Sequence, residues 1–289
     1  MSDARLQNVS DTALWVAEYR AIETRREDAI FRDPYAEKLA GDRGKELVRS
    51  MGVASFAWPM IVRTAVMDEI ILRSIEKDGV DCVVNLAAGL DARPYRLPLP
   101  KALRWIEVDL APMIAFKEEK LRGEVPVCRL ERVGADLADA AARRAVVEKV
   151  ASQSQRVLVV TEGLLIYLPE AQVAELARDL SSSPAFHLWL TDLASPRLLK
   201  MLTRRLGKHL DAANAPFLFA PASGTKFFEA HGFREREFRS TFEEGWRLKR
   251  VMRGAWLFRF LGRLYPAKKR EEMLRMGGIV LLGRAAARV

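Results

Sequence analysis

The sequence predicts an α/β fold in which an open, mostly parallel sheet carries helices on both faces. From residue 81 onward, short apolar runs of strand length alternate with helical patterns, as is typical of βαβ units. Runs such as VLVV at 157–160 contain no polar alternation, so these strands are expected to be buried on both faces. The chain has 289 residues, of which 49% are hydrophobic, and we expect one domain with an appended cap.

Residues 1–79 are expected to form a helical cap. Ser10 or Asp11 can cap a helix that contains TALWVAEYRAIETRRE, and a second helix is expected from about Ser55 to Lys77. Gly79 then ends the helical region.

Residues 80–195 are expected to form the ligand-binding α/β core. Five apolar runs predict strands: DCVVNLAAG, LRWIEVDL, VCRLERVGADL, RVLVVTEGLLIYL and AFHLWLTDLAS. Helical patterns lie between them near Pro112–Leu121, Asp139–Ser152 and Pro169–Leu180.

The regular alternation stops after Ser195. Residues 196–231 predict a helix, a loop and a helix, with Pro216, Pro221 and Gly224 as breakers, and we assign them to a cap insertion. Residues 232–289 predict the last strands, in GFREREF and GGIVLLGRA, with a long basic amphipathic helix between them.

Composition narrows the function classes. The formal charge is +9, and most of the excess lies near the C-terminus, where a basic surface can attract RNA, acidic lipid or a small anion. No apolar run approaches the roughly 20 residues that cross a bilayer, so we expect a cytoplasmic protein. Cys82 and Cys128 are expected to be buried structural thiols, and the spacing of His187, His209 and His231 predicts no metal site.

Polar residues end each of the first four predicted strands. Gly89, Asp109, Asp136 and Glu162 stand at these ends, where ligands bind in open α/β sheets. A glycine lets a ligand approach the backbone closely. One carboxylate can accept hydrogen bonds from ribose hydroxyls, and a second carboxylate can accept one from the exocyclic amine of adenine. NLAAGLD has one glycine where a dinucleotide fingerprint has three, which favours a phosphate-free nucleoside such as S-adenosylmethionine.

Four segments carry a family resemblance. VNLAAGLDARPYRL, IEVDLAP, ADL and TEGLLIYLPE, in this order and spacing, resemble the leucine carboxyl methyltransferase family of S-adenosylmethionine-dependent methyltransferases. The similarity is greatest to its bacterial O-methyltransferase branch, which includes polyketide carboxyl methyltransferases. SDTALWVAEYRAIETRREDAIFRDPYAEKLAG and VRTAVMDE also resemble that branch, so the resemblance spans residues from about 10 to 180. It implies a class I methyltransferase, Rossmann-like fold with a seven-stranded, mostly parallel sheet.

The resemblance assigns residues to the methionyl end of the cofactor. It implies that Arg63 pairs with the methionyl carboxylate, that Gly89 lies beneath the methionyl part, and that Glu162 lies near the methionyl amino group. Arg20, in the first helix, is a further candidate for a basic cofactor contact.

The resemblance also assigns the nucleoside end. It implies that Asp109 holds the ribose and that Asp136 and the backbone of Leu137 meet the adenine ring. Relatives usually carry Gly in place of Ala87 or Ala88, which bears on the geometry of the turn.

A charged cluster follows the candidate cofactor loop. Asp91, Arg93 and Arg96 are interpreted as ion-paired support for this loop rather than as substrate contacts, because Arg suits fixed bidentate pairing. Tyr95 and Tyr167 can line an acceptor pocket, although packing is the favoured role for a lone aromatic residue.

The methyl acceptor is expected to be a carboxylate or a phenolic hydroxyl of a small metabolite. A carboxylate is already a nucleophile at neutral pH and needs no general base, whereas a phenol can use a carboxylate or Tyr as base. A carboxylate would instead need a cation to orient it, and the helical spacing offers Arg197, Lys200, Arg204 and Arg205.

Two alternatives stay open at this point. In one, the basic charge recruits RNA as the methyl acceptor, although no RNA-binding module is recognisable. In the other, the chain binds cofactor or a partner without catalysis, and RGAWLFRFLGRLYPAKKR docks on a membrane or a protein.

Overall fold

Seven strands form one sheet in the computed structural model, which describes residues 9–50, 57–212, 216–252, 254–256 and 265–285. The strands are β1 Cys82–Leu86, β2 Arg104–Asp109, β3 Arg129–Gly134, β4 Val157–Thr161, β5 Phe186–Ala194, β6 Phe233–Ser240 and β7 Gly277–Arg284. Their order is β3-β2-β1-β4-β5-β7-β6, and β7 pairs antiparallel with both neighbours while the other pairs are parallel. This arrangement confirms the predicted seven-stranded, mostly parallel sheet.

The helices of the described residues flank the sheet and extend beyond its edge. They are α1 Val9–Thr24, α2 Ala36–Ser50, α3 Ala57–Lys77, α4 Arg93–Arg96, α5 Ala111–Lys120, α6 Ala140–Ala151, α7 Glu170–Ser181, α8 Pro196–Ala212, α9 Thr241–Arg247 and α10 Ala267–Leu274. Two 3₁₀ helices span Leu165–Tyr167 and Gly224–His231. The helices predicted after β2, β3 and β4 are confirmed to within one residue at each end.

The core lies on both faces of the sheet because adjacent strand residues point to opposite faces. Val84 belongs to the apolar cluster with α6 and α7, whereas Val83 belongs to the cluster with α3. All five residues of β1 and all five of β4 are buried, which explains why their sequences are almost uniformly apolar.

The N-terminal helices α1 and α2 pack against each other and against the segment after β5. A shared apolar cluster joins Trp15 and Tyr19 of α1 and Ile61 of α3 with Leu202 of α8 and Phe217. The predicted N-terminal cap and the predicted insertion are therefore in contact above the carboxyl edge of the sheet.

The basic stretch near the C-terminus, predicted as one long helix, lies partly outside the described residues. Residue 253 and residues 257–264, which hold most of its apolar stripe, lie outside the described residues. On either side the chain forms two separate short helices, because Lys249 adopts a left-handed φ of 54° after α9 and Pro266 immediately precedes α10. Within the described residues, no helix is both long enough and apolar enough to cross a bilayer.

Candidate functional site

The first two strand ends meet through a backbone hydrogen bond. Asp109, at the end of β2, accepts from the Gly89 N–H at 2.7 Å through Oδ2 and from its neighbour Leu110 N–H at 2.7 Å through Oδ1. Gly89 has a φ of +47°, which favours glycine, and the turn before it places Ala87 at a φ of 54°. Burial raises the pKa of the Asp109 carboxyl above its usual value of 3.8.

The chain turns after the third strand, and a buried arginine on α6 fixes this turn by a hydrogen bond. Asp136 is exposed, and its Oδ1 accepts from the Ala138 N–H at 2.9 Å. The carbonyl of Leu137 accepts from Arg143 Nη1 at 3.0 Å, and Arg143 is itself buried and paired with Asp179 at 2.6 Å. This leaves the turn fixed beside the Asp109 turn, since Asp109 and Gly134 are register partners.

The fourth and fifth strand ends share one arginine. Arg63, on α3, donates from Nε to Glu162 at 3.0 Å and from Nη1 to Asp192 at 3.2 Å. Asp192 also accepts from the Gly163 N–H at 2.6 Å. Burial alone would raise the pKa of the Glu162 carboxyl, but the neighbouring Arg93 and Arg63 lower it to about 2.

The charged cluster after Gly89 supports the site from behind. Arg93 is almost fully buried and donates to Asp68 at 2.6 Å, to Asp91 at 2.8 Å and to Glu162 at 2.7 Å. Arg96 donates to the same Asp68 at 2.6 and 2.9 Å. These contacts favour the interpretation of the cluster as ion-paired loop support.

Arg20 connects the first helix to the same cluster. Its Nε donates to Asp33 at 2.8 Å, and its Nη2 donates to the carbonyl of Leu90 at 2.5 Å, one residue after Gly89. Asp33 lies 3.8 Å from Arg96. The ion pairs therefore form one continuous network from α1 to the end of β5, which we call the strand-edge network: Arg20, Asp33, Arg63, Asp68, Asp91, Arg93, Arg96, Glu162 and Asp192.

Two features of this network point towards a ligand. Arg93 Nη2 is buried without a hydrogen-bond partner although Arg93 lines the cavity described below, and such orphaned donors are rare. Gly163 has a φ of +65°, and a Cβ at this position would lie 3.1 Å from Arg63 Nη1. The Arg63 guanidinium thus packs directly against the Gly163 backbone, in space that a side chain at residue 163 would occupy.

A cavity of about 1780 Å³ runs along this edge of the sheet. One half, which we call the strand-edge half, is lined by Gly89, Asp109, Asp136, Glu162 and their neighbours. The other, which we call the apolar half, lies beyond β5 and β7 and is lined mostly by aromatic, Leu and Met side chains of α3, α8, α9 and α10. The volume exceeds the 300–1,000 Å³ of a typical single-ligand pocket, so there is room for two ligands.

The structure places one of the aromatic residues predicted for the acceptor pocket in the cavity. Tyr167 lines the cavity, and its ring centroid lies 5.5 Å from that of Phe217. Burial raises the pKa of the Tyr167 hydroxyl.

The α8 cations predicted to contact the acceptor are mostly placed elsewhere. In the part of α8 whose side chains the structure describes, Arg197 and Arg204 are exposed and do not line the cavity, whereas Arg205 does. The physical reason is the helical period: the face of α8 that lines the cavity carries Leu198, Met201, Leu202 and Arg205, spaced three and four residues apart.

Asp192 and Gly163 are site residues that the sequence reasoning missed. Asp192 lies in LTDLAS two residues before β5 ends at Ala194, so the rule that selected residues at the carboxyl ends of the first four strands reaches it if the last residues of each strand are included. Gly163 follows Glu162 directly, but its role depends on the approach of Arg63 from a distant helix, for which the sequence holds no local signal.

The two cysteines are free and buried, as predicted. Burial raises the pKa of each thiol to about 11, so both stay protonated at neutral pH.

Comparison with known proteins follows the same segments. The family model described as leucine carboxyl methyltransferase matches residues 13–181. A protein of Streptomyces avermitilis named "Putative S-adenosyl-L-methionine-dependent methyltransferase" is 36% identical over 188 residues, covering 60% of this chain and 65% of that protein. One of the same name from Frankia alni is 37% identical over 183 residues, covering 57% and 61%. This chain therefore spans less than two thirds of the length of these relatives.

Solved structures resemble the whole described fold. A DUF574 family protein from Streptomyces avermitilis has a TM-score of 0.58 at 13% identity, covering 93% of this chain and 96% of that chain. A putative methyltransferase from Thermobifida fusca has a TM-score of 0.57 at 13% identity, covering 92% and 97%. At these identities the likeness shows the shared Rossmann-like α/β fold.

Proposed function

The chain belongs to the leucine carboxyl methyltransferase family, and from this premise we propose that it is an S-adenosylmethionine-dependent O-methyltransferase acting on a small molecule. The observation that carries the proposal is the strand-edge network, which holds a basic and acidic set of side chains beside the Gly89–Asp109 contact. The relatives named as S-adenosylmethionine-dependent methyltransferases support it.

The residues at the site fit the methionyl part of this cofactor. A carboxylate beside Arg93 Nη2 would supply the hydrogen-bond acceptor that this buried donor lacks. Arg63, which the resemblance pairs with the methionyl carboxylate, lies in the same network through Glu162. Glu162 stays ionised because its pKa is low, and it can face the methionyl ammonium group.

The nucleoside part fits the other strand ends. Each Asp109 oxygen already accepts one backbone N–H, and a carboxylate has about four acceptor positions, so capacity remains for ribose hydroxyls. Asp136 and the backbone of Leu137 lie on the neighbouring turn, in reach of an adenine ring that extends from the ribose.

For Arg20, which lines the cavity, we propose a supporting role beside the cofactor contact that the sequence suggests. Its guanidinium donates to Asp33 and to the Leu90 carbonyl, so we assign it to holding α1 against the Gly89 loop. Through that loop it would also affect cofactor affinity.

When bound, the cofactor would supply a methyl group on a sulfonium, whose carbon an acceptor oxygen would attack in line while the thioether sulfur leaves with the electron pair of the broken bond. The protein's own contribution is to orient both ligands and to exclude water from the reacting atoms. The apolar side chains beyond β5 exclude water, and the ion pairs of Arg63 and Arg93 fix the strand-edge half before any ligand arrives.

The cap assignment belongs to this proposal. We assign residues 1–79 and 196–231 to the cap that encloses the acceptor, 80–195 to cofactor binding, and 232–289 to the last strands and the basic segment. The contact of α1 and α3 with Leu202 and Phe217 supports this division. A cytoplasmic location stays a prediction.

The test is calorimetric titration of the full chain with S-adenosylmethionine and S-adenosylhomocysteine, with NAD as the control. We expect micromolar binding of the two sulfur nucleosides and none of NAD. Absence of binding by both nucleosides would overturn the proposal.

A further inference from the structure

Asp192 occupies the boundary between the two halves of the cavity. Its hydrogen-bond partners Arg63 and Gly163 line the strand-edge half, while the residues that follow it, Leu193 and Ala194, lead into α8 and the apolar half. Across the sheet its register partner is Ile279 of β7, which also lines the cavity. An acceptor in the apolar half therefore approaches Asp192 when it meets a donor bound beside Arg63 and Glu162.

The Asp192 carboxylate has capacity for a further hydrogen bond. Its side chain is 26% exposed, compared with 14% for Glu162. Each oxygen accepts one hydrogen bond from the protein, at 2.6 Å and 3.2 Å, and about two of the four acceptor positions are left. These positions suit a hydroxyl donor.

The charge balance at this boundary disfavours a second anion. Within the described residues, the strand-edge network contains the four guanidinium groups of Arg20, Arg63, Arg93 and Arg96 and five carboxylates, which leaves a net charge of −1. A carboxylate acceptor placed beside Asp192 would meet like charge, whereas a neutral hydroxyl would not.

The other cations of the cavity lining are exposed to solvent. Within the described residues these are Arg205 of α8, Arg247 of α9 and Arg270 of α10. Arg247 is paired with Glu69 and Glu244, whereas the ion pair of Asp192 is with Arg63.

The apolar half fits an aromatic body. Its walls include Trp58, Leu202, Phe217, Phe219, Phe242 and Met273. Met201 and Met252 line the cavity and are 53% and 44% exposed, so the apolar surface extends to the entrance. Flexible thioethers and aromatic rings adapt to flat apolar ligands.

We propose that the acceptor is a polycyclic or similarly large aromatic hydroxyl and that Asp192 receives its proton. This inference rests on the proposed methyl transfer and names its substrate class. The hydroxyl proton passes to an Asp192 oxygen, the acceptor oxygen forms the new C–O bond, and the C–S bond breaks with its electron pair on sulfur. Tyr167 is less suited to this role, because burial raises the pKa of its hydroxyl and keeps it protonated.

The test compares two probes with the same body, 1-pyrenol and 1-pyrenecarboxylate, by fluorescence titration at neutral pH. The full chain is first saturated with S-adenosylhomocysteine, whose own affinity is measured by calorimetry. The variants are Asp192→Asn and the matched control Asp78→Asn, which also removes an ion-paired carboxylate, the partner of Arg236, but one that does not line the cavity.

We expect the wild-type chain and Asp78→Asn to bind the hydroxyl at least tenfold more tightly than the carboxylate. In Asp192→Asn the ratio should fall to threefold or less, because the like charge is gone. The inference would be overturned if the wild-type chain bound 1-pyrenecarboxylate as tightly as 1-pyrenol or more tightly. It would also be overturned by an unchanged affinity ratio in Asp192→Asn, or by no binding of either probe. Failure of S-adenosylhomocysteine itself to bind would instead overturn the proposed function on which the inference rests.

Discussion

Asp109→Ala tests the ribose assignment. In the free protein the Asp109 carboxylate already accepts from the Gly89 and Leu110 N–H groups, so the substitution leaves two backbone donors without these acceptors and removes the proposed ribose contacts. Leaving polar groups unpaired on a buried ligand costs about 1–3 kcal/mol, which corresponds to an affinity for S-adenosylhomocysteine about 5- to 150-fold weaker. Calorimetry measures this loss directly.

Asp139→Ala is the matched control for this substitution. Asp139 caps α6 and likewise accepts two backbone N–H groups, from Ala141 at 2.8 Å and Ala142 at 3.3 Å, but it does not line the cavity. Both variants should lower the melting temperature, since each loses similar hydrogen bonds, but only Asp109→Ala should weaken cofactor binding. An unchanged dissociation constant in Asp109→Ala, or an equal loss in Asp139→Ala, would refute the reasoning.

Three further predictions follow from the strand-edge network. Gly163→Ala should weaken S-adenosylhomocysteine binding, because the new Cβ would lie 3.1 Å from Arg63 Nη1. Its control is Gly123→Ala, which is also at positive φ but has no neighbour within 4 Å. The control should only lower stability, by about 1 kcal/mol. Arg63→Lys should weaken binding at least tenfold in calorimetry, because Lys cannot keep both ion pairs and Arg20 is already engaged; wild-type affinity would contradict this. Because the pKa of Glu162 is lowered from 4.5 to about 2, its ion pairs should contribute about 3 kcal/mol of stability above pH 4.5 that is lost as the pH falls through 2. Urea unfolding between pH 2 and 7 should therefore show a flatter profile for Glu162→Gln, and a parallel profile would count against the assignment.

Cofactor affinity should also depend on pH through Asp109. Burial raises the pKa of this carboxyl, so protonation begins at a higher pH than for an ordinary Asp and removes an acceptor for the ribose. We expect the affinity for S-adenosylhomocysteine to fall on acidification from neutral pH, with a smaller fall in Asp109→Asn. Calorimetric titrations across this range provide the measurement, and identical profiles for the two proteins would contradict the assignment.

The fold was predictable from the sequence because its strands are buried on both faces. The topology is indicated locally by uniform apolar runs, such as that of β4, and by the breaks between them. The ends of the three core helices were predicted to within one residue. The turn after β1 was harder to predict, since Ala87 adopts a left-handed φ of 54°, a conformation that residues other than glycine rarely adopt.

The site was predictable only where it follows strand ends. Asp109 and Glu162 lie at positions that the alternation of strands and helices indicates, and both line the cavity. The partners Asp33 and Asp68 were not predictable, because each contacts an arginine that is distant in sequence. The sequence also could not show which of the four α8 cations lines the cavity, since the face that a helix presents to a cavity depends on how the helix packs.

The most direct test of the cofactor site is a crystal structure of the full chain with S-adenosylhomocysteine. We predict the nucleoside at the carboxyl edge of the sheet, with ribose hydroxyls on Asp109 and the methionyl carboxylate beside Arg63 and Arg93 Nη2. A nucleoside bound elsewhere, or with its ribose away from Asp109, would contradict the assignment of this edge as the cofactor site.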